Sequence, residues 1–222
     1  MIRKFRSKEA EGEACEYASP PCFMHELDPE FRAMPHHSDA WNDVRRWRRA
    51  ERGRLIGERM ALEQDERHAR ASRIGSRLDA IIGELQGRIV GTYWPLRGEP
   101  DLRSWGVGVI GRCGRLALPV VIRKGWPLEY RLWAPGDPLE RGAWNIPVPV
   151  NGPTVQPHIV IAPLVGFDDA GYRLGYGGGF LDRTLATMPR KPLTIGVGYA
   201  LNRVRTIYPQ PHDIPMDVIV TD

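Results

Sequence analysis

The sequence predicts an α/β domain, a three-layer α/β/α sandwich around a mostly parallel sheet. Three observations carry that expectation. From Arg88 to the end of the chain, apolar β-rich runs alternate with helical patterns, the order that produces a parallel sheet covered on both faces. A glycine-rich run, Arg173-Leu174-Gly175-Tyr176-Gly177-Gly178-Gly179-Phe180-Leu181-Asp182-Arg183, follows the apolar segment Ile159 to Phe167. Ligands of such sheets bind beyond the C-terminal strand ends, where this run falls. The length of 222 residues suits one such domain with an appended segment.

Taken in order, residues 1–37 form an irregular N-terminal extension. They join a small acidic stretch, Glu9 to Glu16, to the proline-rich run Ala18 to Pro29. His25, Cys22, Glu26 and Asp28 have no standard zinc spacing, so a structural or flexible segment is the better reading. The α/β domain is expected over residues 38–222. Ser38-Asp39 offers an N-cap, and Ala40 to about Met60 reads as an arginine-loaded helix with Trp41, Val44, Trp47, Leu55 and Ile56 as its apolar positions. A second helix covers Glu63 to Leu85, with Ala71, Ile74, Leu78, Ile81 and Ile82 inward. Arg88 to Trp94 is β-rich, and Asp101 to Ile110 reads as a short helix. Leu116 to Ile122 and Leu128 to Trp133 form strands, with a hairpin around Arg123 to Trp126. The buried strand Ile159 to Phe167, a helix from Phe180 to Met188, and strands Leu193 to Tyr199 and Val218 to Thr221 complete the domain.

The glycine run has the chemistry of a phosphate site. Glycines let backbone N–H groups approach oxygen atoms, and a helix start adds donors and a positive dipole end. Arg173 and Arg183 bring charge to offset a polyphosphate, and Asp182 brings a carboxylate for the magnesium that accompanies one. A glycine turn needed only for backbone geometry is the plain alternative. Asp182 capping a helix or pairing with Arg183 is another.

Composition narrows the setting. No stretch approaches the roughly 20 apolar residues of a membrane span, and no apolar core of a signal peptide follows the basic start, so a cytoplasmic protein is expected. Cys15, Cys22 and Cys113 are odd in number and lack CxxC spacing, which favours reduced thiols. A net charge of +4 fits anionic substrates and is too small to argue for nucleic acid. A monomer or weak homo-oligomer is expected, with no membrane contact. There is no convincing Ser-His-Asp or Cys-His set.

The string Phe167-Asp168-Asp169-Ala170-Gly171-Tyr172-Arg173-Leu174-Gly175-Tyr176-Gly177-Gly178-Gly179-Phe180-Leu181-Asp182-Arg183 closely resembles the signature block of the 5-formyltetrahydrofolate cyclo-ligase family. Four more regions match in order. Arg48 and Arg52 resemble a basic pair four apart that contacts ATP in the family. Glu99, in Pro95 to Asp101, resembles a glutamate at the folate site. Trp144-Asn145-Ile146-Pro147-Val148-Pro149 resembles a turn near the pterin, and Asp213 falls where a second carboxylate near magnesium is placed. The resemblance spans about Trp47 to Asp222. Within it, Phe180-Leu181 lacks the family's second aromatic, Arg48 replaces a commoner lysine, and Glu51 replaces an apolar residue.

The resemblance implies the fold of sugar-phosphate isomerases and CoA transferases, and an ATP- and Mg2+-dependent closure of 5-formyltetrahydrofolate to 5,10-methenyltetrahydrofolate. It implies ATP contacts from Arg48, Arg52 and the loop Arg173, Leu174, Gly175, Tyr176, Gly177, Gly178, Gly179, Phe180 and Leu181. Arg173, Gly177, Gly178 and Gly179 would serve the transferring phosphoryl group. Folate contacts are implied for Tyr93, Leu96, Glu99, Trp144, Tyr176, Gly177 to Gly179 and Phe180, and metal contacts for Asp182 and Asp213. Rival readings of the same residues are a solvated Arg48/Arg52 face paired with Glu51 and Glu58, and core packing for Trp144. At the level of the whole chain, the alternatives are a non-catalytic regulatory relative binding nucleotide, RNA or a protein, and an isomerase or acyl-CoA transferase by fold analogy.

Overall fold

The computed structural model describes residues 37–222, with side chains from Trp41 onward. The expected irregular extension, with Cys15, Cys22, His25, Glu26 and Asp28, lies outside the described residues apart from His37. Glu51–Asp222 forms one compact unit, separate from the unit that ends at Ala50.

The described elements begin with two helices, α1 (His37–Met60) and α2 (Gln64–Ile82). Then come β1 (Ile89–Gly91), α3 (Arg103–Gly111), β2 (Arg115–Val120) and β3 (Glu129–Trp133). A small hairpin, β4 (Leu139–Arg141) and β5 (Pro147–Pro149), precedes β6 (Thr154–Val155) and β7 (Ile159–Pro163). A second small pair, β8 (Gly166–Phe167) and β9 (Arg173–Leu174), leads into α4 (Phe180–Thr187), β10 (Leu193–Val197) and β11 (Val218–Val220). The main sheet has seven strands in the order β11-β10-β7-β1-β2-β3-β6. Its first five are parallel, and β3 and β6 add antiparallel to the edge.

Successive side chains of a strand point to opposite faces, and that alternation assigns the layers. Val90, Leu116, Leu118, Ile159, Ile161, Ile195 and Val197 share one core with Ile74, Leu78 and Ile82 of α2 and Val109 of α3. Their neighbours Ile89, Ala117 and Val160, joined by Tyr130, face the other way and pack against Leu181 of α4 and Met188. Helices therefore cover both faces, as the alternating sequence implies. A third cluster joins Leu55 of α1 to Val165, Leu174 and Ile207, seating the second half of α1 over the β8–β9 pair.

Four details differ from the sequence reading. The run Ile159 to Phe167 is not one strand: β7 stops at Pro163, and Gly166–Phe167 turns away to pair antiparallel with Arg173–Leu174. Arg173 and Leu174 are consequently strand residues that precede the loop. Ile81 is 42% exposed, because 81 falls past the apolar stripe of Ile74, Leu78 and Ile82. Helix α1 already contains Ser38 and Asp39 instead of starting after them. The β4–β5 hairpin and β6 were not foreseen, being two- and three-residue strands rich in proline and polar residues.

Candidate active site

The segments that follow β1 and β7 meet the second half of α1. The glycine loop stands on the β8–β9 pair, whose turn is pinned by Asp168. That buried carboxylate accepts the Ala170 and Tyr172 amides at 3.2 and 3.1 Å and the Ile207 amide at 3.0 Å. The following loop is open. The backbone N–H groups of Tyr176, Gly177, Gly178 and Gly179 donate to no other group among the described residues, and Gly177 and Gly178 are exposed. Gly177 at φ 88° and Gly179 at φ 62° hold the left-handed turns that direct those amides outward. Gly179 also caps α4, whose first turn carries the unpaired donors of any helix start.

Arginines surround this loop. Arg52 donates from Nε to the Gly175 carbonyl at 2.6 Å, and its guanidinium lies where a Cβ on Gly177 would contact it at 3.3 Å. Arg183 donates to the Gly178 carbonyl and lies over the Phe180 ring at 5.3 Å, while its Nε is buried without a partner among the described residues. Arg173 is 9% exposed and faces inward, donating to Asp182 Oδ1 at 2.9 Å and to the Ile214 carbonyl at 2.7 Å. Arg48 is half-buried on the part of α1 that belongs to the other unit.

The two expected metal carboxylates come from neighbouring segments. Asp182 Oδ1 takes both the Arg173 guanidinium and the Ile214 amide, the latter at 3.1 Å. Asp213, one residue before Ile214, accepts the Gln210 amide on Oδ2 at 2.7 Å. Among the described residues no group of three His, Cys, Asp or Glu side chains is assembled for a metal.

The aromatic residues divide. Trp144 is 67% exposed at the tip of the β4–β5 hairpin, with its backbone at φ 52°, a conformation that is strained for a bulky side chain. Its ring meets Phe180 edge-on at 5.5 Å, so the hairpin brings it to the loop. Tyr93 is buried in the main core, its hydroxyl donating to the Pro100 carbonyl at 2.5 Å. Leu174 and Leu181 also point into core clusters, which leaves only their backbones facing the loop. The position of the absent second aromatic is thus a packing position, and leucine satisfies it.

One participant escaped the sequence reading. Arg59 has no exposed surface. It donates to the carbonyls of Arg97 at 2.7 Å, Leu164 at 3.1 Å and Leu96 at 3.5 Å, and to the Tyr176 hydroxyl at 2.5 Å. Tyr176 in turn donates to Glu99 Oε1 at 2.7 Å, and the Leu96 amide donates to Oε2 at 2.8 Å. The Arg59 guanidinium lies 3.8 Å from Glu99. Burial pushes the Glu99 carboxyl above its usual value, against the pull of the Tyr176 hydroxyl, Arg59, the Leu96 amide and Arg97. The available signal was positional: Arg52, Leu55 and Arg59 lie at i, i+3 and i+7, one face of a helix.

These features define an α/β protein whose glycine loop presents free amides and arginines next to a sealed carboxylate. The comparisons with known proteins agree. The model of the 5-formyltetrahydrofolate cyclo-ligase family matches residues 44–222, and the chain belongs to that family. A 5-formyltetrahydrofolate cyclo-ligase of Haemophilus influenzae is 30% identical over 149 residues, covering 63% of this chain and 79% of that protein. The solution structure of the 5,10-methenyltetrahydrofolate synthetase of Aquifex aeolicus superposes with a TM-score of 0.66 at 29% identity, over 78% of this chain and 88% of that one. The fold is also that of the Mycoplasma pneumoniae 5,10-methenyltetrahydrofolate synthetase, with a TM-score of 0.66 at 23% identity over 79% of this chain and 98% of that one.

Proposed function

We propose that this chain closes 5-formyltetrahydrofolate to 5,10-methenyltetrahydrofolate at the expense of ATP. The observation that carries the reading is the glycine loop itself: four consecutive free amides with Arg52 and Arg183 against the loop, in a chain of this family. A formamide oxygen leaves poorly, so it attacks the γ-phosphorus of ATP and ADP departs. The neighbouring folate nitrogen then attacks the activated carbon, loses its proton, and phosphate leaves with the original formyl oxygen.

Phosphoryl transfer asks a protein chiefly for position and charge. The amides of Tyr176 to Gly179 are free to take γ-phosphate oxygens, and Arg52 supplies positive charge from α1. Arg173 is committed to Asp182 and Ile214, so its part is to hold the loop's base and to fix Asp182 in place. Asp182 and Asp213 would hold magnesium, which offsets charge on the phosphates. Trp144, exposed beside the half-buried Phe180, offers the pterin an aromatic wall, and the turn that carries Leu96 and Glu99 bounds its polar edge. The protein partners of the reaction are thus two small molecules, the reduced formyl folate and ATP, and the described residues contain no helix long and apolar enough to cross a membrane.

A thermal-shift titration tests the binding half of this reading. ATP with magnesium raises the melting temperature, and 5-formyltetrahydrofolate raises it independently. A folded protein stabilised by neither does not bind these substrates.

A further inference from the structure

We infer that Arg59 is a positioning residue for Glu99. It holds that carboxylate in place directly and through the Tyr176 hydroxyl, so that the conformation of the glycine loop sets the state of Glu99. The inference rests on the folate-side role proposed for Glu99. The geometry behind it belongs to the protein alone.

A fully buried arginine is rare unless every donor is used. Arg59 uses its donors to tie three separate segments together: the 96–97 turn, Leu164 just after β7, and Tyr176 in the loop. Its charge is matched by one carboxylate, Glu99, whose side chain is 2% exposed and lies 3.8 Å away. That distance is longer than a direct hydrogen bond, and the Tyr176 hydroxyl fills the gap. It accepts from Arg59 at 2.5 Å and donates to Glu99 at 2.7 Å, a relay in which the phenol's single proton has one acceptor. The Tyr176 ring is itself held under cations, with the Arg59 and Arg97 guanidinium carbons 5.9 and 5.8 Å from its centroid.

Tyr176 also begins the run of free amides. A ligand that reshapes those amides moves the phenol, and the phenol is the one loop group bonded to Glu99. The charged and titratable groups around Glu99 are few: Arg59 from α1, Tyr176 from the loop, Arg97 from its own turn and Tyr93 from the segment after β1. Arg59, Arg97 and the phenol proton all favour the ionised carboxylate over the neutral acid. Losing any one of them favours protonation.

The test is a carboxyl-carbon NMR titration of the ligand-free protein, labelled at glutamate and assigned with Glu99→Gln, together with the pH profile of kcat/KM for 5-formyltetrahydrofolate. Tyr176→Phe removes one oxygen from a side chain that is 44% exposed, so the fold survives. The Glu99 titration is expected to move to higher pH by about one unit in Tyr176→Phe, with the acid limb of kcat/KM moving alongside it. Arg59→Lys, which keeps the charge and loses the planar fork, moves both in the same direction. An unchanged Glu99 titration in Tyr176→Phe overturns the inference. A shifted titration in a protein with no turnover at any pH leaves the relay standing and removes the activity reading instead.

Discussion

Arg54 and Arg59 lie five residues apart on α1 and show opposite uses of the same side chain. Arg54 is on the outer face, its side chain half exposed, and pairs with Glu51 and with Glu58 at 2.5 Å. Arg59 is on the inner face with no exposed surface and ties the turn after β1 to the glycine loop. Water screens the first set of pairs, so they contribute at most a few tenths of a kcal/mol. The second set has no water to fall back on. Arginine content alone therefore says little about a helix: the face on which each arginine falls decides whether it is solvation or architecture.

The largest effect is expected at Arg59. Arg59→Met leaves the Glu99 carboxylate buried without its counter-charge and should lower the unfolding free energy by about 3–5 kcal/mol, read by urea denaturation. Adding Glu99→Gln to that variant should restore part of the loss, because the stranded charge is gone. Independent, additive effects of the two substitutions would show that the pair is not coupled.

Next in size is Asp182→Ala, which strands Arg173, a side chain 6% exposed. It should cost about 2–4 kcal/mol and abolish stabilisation by ATP with magnesium. Stabilisation that survives the alanine removes Asp182 from the metal role. Gly177→Ala puts a Cβ at φ 88° and against the Arg52 guanidinium, for an expected loss of about 1–2 kcal/mol and weaker nucleotide protection in the same thermal-shift titration. At the small end, Arg54→Ala should change stability by less than about 0.5 kcal/mol.

The buried carboxylate also leaves a signature in pH. Its folded-state value lies above the 4.5 of a free glutamate. The folded state therefore holds this proton more tightly than the unfolded chain does. Stability from this group is present below pH 4.5 and is lost as pH rises through the raised value. Urea midpoints of Glu99→Gln across that window should lack this component of the slope. A slope identical to that of the unsubstituted protein would mean that Glu99 does not titrate there.

The layers of the fold were legible because continuous apolar runs such as Ile159 to Ala162 mark strands buried on both faces, while the stripe Ile74, Leu78 and Ile82 marks the inner face of a helix. The loop was legible because Gly177 and Gly179 occupy conformations that other residues avoid. What the sequence hid was non-local. Pro163 and Gly166 are local break signals in the run Ile159 to Phe167, but the pairing of Gly166 and Phe167 with Arg173 and Leu174 depends on residues beyond it. The burial of Arg59 could not be read from its own turn, since its acceptors come from residues 96, 97, 164 and 176. Leu181, a departure from the family pattern, proves to face the core shared with Ile89 and Val160. Trp144, for which core packing was a rival reading, stands largely exposed beside Phe180.

This loop and its neighbours serve an ATP-dependent folate cyclisation. The most direct measurement mixes purified protein with 5-formyltetrahydrofolate, ATP and magnesium, and follows the near-ultraviolet absorbance of the methenyl product together with ADP release. One ADP is expected per methenyl group formed, with no product when ATP is omitted. Folded protein that yields no methenyl absorbance, or yields it without consuming ATP, would contradict it.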